Sequence, residues 1–147
     1  MTENTQTVRL NFQQVVLMLQ QERASLEAVQ IRTENFRRML EDTLIAKEAI
    51  DAIQKTSKDQ KLMVSLGAGV YCDATLENNN EVKVTLAGGV IKNASIPEAL
   101  GALNDRQKEA ETELKKLSED QGKLMTNLNS LTQLARQLGG QKRDQPQ

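Results

Sequence analysis

Leu62 to Leu76, LMVSLGAGVYCDATL, lies over Val82 to Ile96, VKVTLAGGVIKNASI, at an offset of 20 residues. Five of the 15 aligned positions are identical: Val64/Val84, Leu66/Leu86, Gly69/Gly89, Val70/Val90 and Ala74/Ala94. Each copy alternates with a period of two. Leu62, Val64 and Leu66 interleave with Met63 and Ser65; Val70, Cys72, Ala74 and Leu76 interleave with Tyr71, Asp73 and Thr75. That spacing predicts strands, because successive side chains on extended backbone point to opposite faces. Gly67-Ala68-Gly69 and Ala87-Gly88-Gly89 mark tight turns, and Glu77-Asn78-Asn79-Asn80-Glu81 is a connecting loop rich in residues that tolerate left-handed backbone. The reading is two tandem β-hairpins. The repeat weakens after Val90, where Lys92 falls on the phase that should face inward.

On either side the period changes to one near 3.5. Residues 8 to 55 hold no Gly and no Pro. Alternating steps of four and three select Val8, Phe12, Val15, Leu19, Glu22, Leu26, Val29, Thr33, Phe36 and Leu40, of which eight of ten are apolar, a heptad seam. Past Leu40 the spacing slips, and Leu44, Ile50 and Ile53 suit a reset register. On the other side Ser95-Ile96-Pro97-Glu98 forms a capping box with proline in the first turn. The second seam runs Leu100, Leu103, Gln107, Ala110, Leu114, Leu117, Gln121, Leu124, Leu128, Leu131, Ala135, Leu138, and Gly139-Gly140 is expected to end the helix. Gln107 and Gln121 are candidates for setting register. The fold class is therefore α+β: a long antiparallel two-helix coiled coil with a four-stranded double β-hairpin module between the helices. Its divisions are an N-terminal helix over 1–60, an assembly module over 61–94, a C-terminal helix over 95–140 and a polar disordered tail over 141–147.

Composition fits an elongated chain better than a compact enzyme. Only 38% of the 147 residues are hydrophobic and 2% aromatic, whereas Ala, Glu, Lys, Leu and Arg supply 64. With no histidine, the commonest general base and metal ligand is missing. One cysteine allows neither an internal disulfide nor a multi-thiolate zinc site, so no metal or cofactor is expected. The 19 Lys and Arg against 20 Asp and Glu are locally balanced, leaving no basic patch for nucleic acid or anionic membrane. The longest apolar run, Val15 to Leu19, is five residues, too short for a membrane span or a signal core. A reducing cytoplasm is the expected compartment. Gly67-Ala68-Gly69 lacks the spacing and the lysine of a phosphate cradle and is read as a turn. Cys72, on the inward phase, is read as a small buried hydrophobe.

Two features ask for partners. A four-stranded module of this size has too little core and open edges, so it is expected to pair with other chains. At the far ends of the helices, Val15 to Leu19 puts apolar groups all round the helix. Val16, Leu17 and Met18 have no seam position, Leu10 precedes them off the seam, and Met125 and Leu134 are off the second seam. Such residues either pack in a thicker bundle or bind something, and methionine adapts to varied surfaces.

Helix, repeated glycine-containing hairpin, helix: this order resembles the α-class subunits of the prefoldin family. Met63-Val64-Ser65-Leu66-Gly67-Ala68-Gly69-Val70-Tyr71 followed by Val82-Lys83-Val84-Thr85-Leu86-Ala87-Gly88-Gly89-Val90 is the most specific portion. The resemblance implies a hexamer of two α-class and four β-class subunits on a β-barrel hub, with six projecting coiled coils. It also implies an ATP-independent chaperone that holds unfolded client proteins at its tips and passes them to a group II chaperonin, without a cofactor. Carried onto this chain, the client surface would be Leu10, Phe12, Val16, Leu17, Met18, Met125, Leu131, Leu134 and Leu138. Assembly would rest on Val64, Leu66, Gly69, Val70, Val82, Val84, Leu86, Gly89 and Val90. A structural scaffold or filament subunit, or an adaptor for one folded partner, are the other readings.

Overall fold

Asn11 opens the first helix through a reciprocal pair of hydrogen bonds: the Gln14 amide donates to Asn11 Oδ1 (2.8 Å), and the Asn11 amide donates to Gln14 Oε1 (2.9 Å). Helix α1 follows as Phe12–Lys55 and α2 as Ile96–Gln141 in the computed structural model, which describes residues 11–141. Val8 and Leu10 lie outside the described residues. Between the helices come β1 (Lys61–Gly67), β2 (Val70–Thr75), β3 (Glu81–Thr85) and β4 (Ile91–Ser95). The chain divides into two compact units, one of Met1–Asn35 with Glu113–Gln147, the other of Phe36–Thr112.

In the first unit the start of α1 runs antiparallel to the end of α2. A Cβ built on Gly139 would sit 3.7 Å from Phe12 Cε2, and Arg32 Nη2 lies 3.8 Å from Glu113 Oε2. Val15 is fully buried and Leu117 nearly so, while the other described apolar seam residues are half-buried apart from exposed Phe12. The Thr33 hydroxyl donates to Val29 O (2.8 Å), which lets a polar residue occupy the seam. Helix α2 continues through Gly139 and Gly140 to Gln141, later than the sequence reading placed its end. Neither glycine takes the left-handed angles of a helix-terminating cap.

In the second unit the heptad phase of α1 runs on without a reset. Thr43 (4% exposed) and Ile50 (8%) are buried, whereas Leu44, the larger apolar neighbour expected inside, is 43% exposed. The Thr43 hydroxyl donates to Met39 O (2.6 Å), so the side chain enters the seam with its polarity already satisfied. Seam residue Gln107 accepts from Lys47 Nζ (2.8 Å) and donates to Glu111 Oε1 (2.8 Å), tying α2 to α1 at one register.

The strands form two separate antiparallel pairs, β1 with β2 and β3 with β4. Lys61 faces Thr75 and Glu81 faces Ser95, so the 20-residue repeat is reproduced in register. The turns differ. In the first hairpin Leu66 is bulged, Gly67 pairs with Val70, and Ala68 (φ +50°) and Gly69 (φ +79°) make the corner. In the second, Ala87 replaces the glycine that takes φ +95° in the first copy, and the left-handed angles fall on Gly88 and Gly89 within a single 3-10 turn.

The core of this unit is Ile50, Ile96 and Ala99, with Val82, Val84, Leu100 and Leu103 packed against it. The second hairpin therefore lies on its own helices; Lys92, opposite Val84, stays exposed. The first hairpin has no such cover, since only Leu62 and Ala74 on it are half-buried. Cys72 is accordingly exposed, not buried as its phase implied, because a single chain supplies no layer over that face. Its ladder is extended at the base, where the Asp59 amide donates to Leu76 O (2.8 Å) and the Leu76 amide to Gln60 O (3.0 Å). Asn79 Nδ2 reaches Thr56 O (3.1 Å) and fastens the connecting loop to the segment that follows α1.

Candidate functional site

The exposed apolar groups of the first unit follow from helix geometry. Five consecutive apolar residues, turning by about 100° each, cannot share one face. Val15 takes the seam, Val16 and Leu19 flank it half-buried, and Leu17 (55%) and Met18 (38%) face solvent. Phe12 sits beside Gly139 with 38% of its surface open. On α2, Met125 is 46% exposed, while Leu131, Leu134 and Leu138 are half-buried. The structure thus gathers Phe12, Val16, Leu17, Met18, Met125, Leu131, Leu134 and Leu138 in one unit, with Leu10 outside the described residues. Four of them present most of the open apolar surface, and Val15 holds their helix in place.

A second exposed apolar surface covers the hairpins. Val64, Leu66, Val70, Leu86 and Val90 are exposed, with Gly69 and Gly89 at the turns. Val82 and Val84, expected among the assembly residues, are half-buried on the chain's own core, so less of their surface is open to another chain. Met63 (72% exposed), Tyr71 and Ile91 join the surface without having been singled out from the sequence. They lie on the opposite strand phase, and the missing signal was that the first hairpin is open on both faces. A cleft of about 340 Å³ was also missed. It is lined by Ala46, Ala49, Ala99 and Ala102 on the helices, with Val82, Val84 and Leu103 beneath and Arg106 at its side. Alanines three apart on both helices are its sequence signature, since small side chains leave the space between helix and strand unfilled.

At the junction of strand and helix, the Ser95 amide donates to Glu98 Oε2 (3.0 Å) and the Glu98 amide to Ser95 Oγ (3.3 Å), the expected capping box. The donation from the Ser95 amide, then the positive charge of Lys92, then the Ser95 hydroxyl hold the Glu98 carboxyl below the usual glutamate range. Among the described residues no group of three or more His, Cys, Asp or Glu could hold a metal ion, and no helix is long and apolar enough to cross a membrane.

Residues 12–141 match the sequence model of the prefoldin family, described as a prefoldin subunit. The chain belongs to the prefoldin family. Prefoldins are chaperones and not enzymes. Prefoldin subunit alpha of Methanocorpusculum labreanum is 25% identical over 100 residues, covering 68% of each chain. A filamentous prefoldin from Methanocaldococcus jannaschii, solved by cryo-EM, matches the fold with a TM-score of 0.66. That match has 14% identity over 78% of this chain and 94% of the other. Both long helices and the strand module between them are the prefoldin fold.

Proposed function

We propose that the chain is an α-class prefoldin subunit that works without ATP as a holdase, captures unfolded proteins with the apolar ends of its helices, and hands them to a group II chaperonin. The observation that carries this reading is the exposure of Phe12, Leu17, Met18 and Met125 in the unit formed by the helix ends remote in sequence from the strands. At roughly 25 cal/mol per Å² of apolar area, a few such side chains bind a client only weakly. An assembly engaging one client at several tips gains avidity of about 10² to 10⁴ without any new kind of contact. Stepwise loss of weak contacts then releases the client, and no nucleotide hydrolysis is needed. The exposed hairpin surface around Leu66, Val70 and Ile91 is the proposed assembly face, and β-class subunits in an α2β4 hexamer are the proposed partners. The proposed compartment is the cytoplasm.

The test replaces Leu17, Met18 and Met125 by Ser, changing exposed groups and leaving Val15 in place. Mass by light scattering, alone and with a β-class subunit, should be unchanged, and suppression of aggregation of a denatured substrate should fall several-fold. An intact assembly with full protection would refute the assignment. The similarity to a filamentous prefoldin favours one second reading, a filament subunit. That reading expects polymers that leave denatured substrates unprotected.

A further inference from the structure

Glu22 is a non-apolar residue in the first seam, and it is half-buried. Its Oε2 is shut off from solvent and has no hydrogen-bond partner, unlike the seam hydroxyls of Thr33 and Thr43, which are satisfied within their own helix. The carboxylate borders a groove of about 290 Å³ lined by Met18, Glu22, Asn127, Ser130 and Leu131, little more than one turn from exposed Leu17. A carboxylate drawn out of water without donors is costly, and what offsets that cost is a cation that brings its own N–H groups. Among the described residues no Lys or Arg lines the groove. Arg23 follows Glu22 but projects about 100° further round the helix, and neither it nor Arg136 lines the groove.

We propose that this groove is a subsite for a Lys or Arg side chain carried within an apolar client segment. The inference rests on the client-surface reading above and adds a sign of charge to it. Lys and Arg suit the lining because their methylene stems pack on apolar surface while the head stays polar. The stem lies along Met18 and Leu131, the ammonium or guanidinium donates to the Glu22 carboxylate, and the side-chain oxygens of Asn127 and Ser130 offer further acceptors. Neighbouring apolar client residues meet Leu17. The surface therefore selects apolar segments punctuated by basic residues and disfavours those punctuated by acidic ones, where like charge meets Glu22.

The test uses the full-length chain in its assembled form and fluorescent peptides of identical apolar content whose polar positions carry Lys, Gln or Glu. Binding should be about three- to tenfold tighter for the Lys peptide than for its Gln twin, and the preference should shrink as salt is raised. Glu22→Gln keeps the shape, should bring the Lys-to-Gln ratio to about one, and should leave the Gln peptide bound within roughly twofold of wild type. Glu22→Leu, which puts an apolar residue at this seam position and guards against a folding defect in the first variant, should behave the same way. A preference absent from wild type, or persisting in both variants, would overturn the subsite. If Leu17→Ser with Met18→Ser weakens no peptide, the client surface itself is wrong, and that outcome is separate from anything Glu22 does.

Discussion

Val15 and Leu17 stand two residues apart on α1, and burial separates their roles. Val15 is fully enclosed between the helices, whereas Leu17 keeps 55% of its surface open. Val15→Ala should therefore cost about 2 kcal/mol of stability, from lost burial and the small cavity left behind, while Leu17→Ala should stay within about 0.5 kcal/mol. Thermal denaturation followed by circular dichroism checks both, and equal effects would mean that Leu17 is not free. At this scale the sequence was legible wherever spacing was weighed above greasiness. Steps of four and three located Val15, Leu19, Leu26 and Phe36 in the seam. The same steps lead from Leu40 to Thr43, but Leu44 is the more hydrophobic residue and drew the reading off phase. What rescues Thr43 is its bond to Met39 O, and a backbone acceptor one turn back cannot be seen from side-chain polarity alone. The opening cap was missed for a similar reason. Asn-x-x-Gln caps a helix as Ser-x-x-Glu does, but here it sits inside a run where helix was already assumed.

Among the elements, the first hairpin carries a cost at its corner. Ala68 holds φ +50° between two glycines, in the left-handed region that a Cβ disfavours by about 1 kcal/mol. Ala68→Gly should relieve that and stabilise the hairpin by a similar amount, which amide hydrogen exchange across β1 and β2 would register as slower opening. No slowing would mean that the corner is not the weak point. Helix α2 depends on charge at its start. Glu98 is held below the usual glutamate range, so its contribution to stability is present above that range, near pH 4.3, and is lost as pH falls through its lowered folded value. Glu98→Ala should lower stability at neutral pH and flatten this part of the acid transition; parallel curves for variant and wild type would contradict the cap. The capping box was legible because its four residues are contiguous. The two turns were legible as turns but not as different turns, since that depends on one substitution, Gly67 against Ala87, which removes the first of the three left-handed angles.

For the whole molecule the governing fact is an inequality between two related hairpins. One packs on Ile50, Ile96 and Ala99, and the other leaves Met63, Leu66, Val70 and Tyr71 in the open. Leu66→Asp should therefore lower the mass of any assembly measured by light scattering while leaving the helix content of the chain unchanged. A variant that assembles like wild type would remove the first hairpin from the proposed interface. The need for other chains was legible in the small size of the module. Which valines face inward was not, because Val64 and Val84 occupy equivalent places in the repeat and only the helices tell them apart. The two joints between strands and helices are unequal as well. Ser57 and Lys58 stand exposed between α1 and β1, but Ser95 ends β4 and Ile96 begins α2 with nothing between them. One added amino acid at that second boundary would rotate Ala99 and Leu103 by about 100° away from Val82 and Val84. A length change is thus far costlier at the β4–α2 joint than between α1 and β1, where Ser57 and Lys58 leave exposed chain to absorb it.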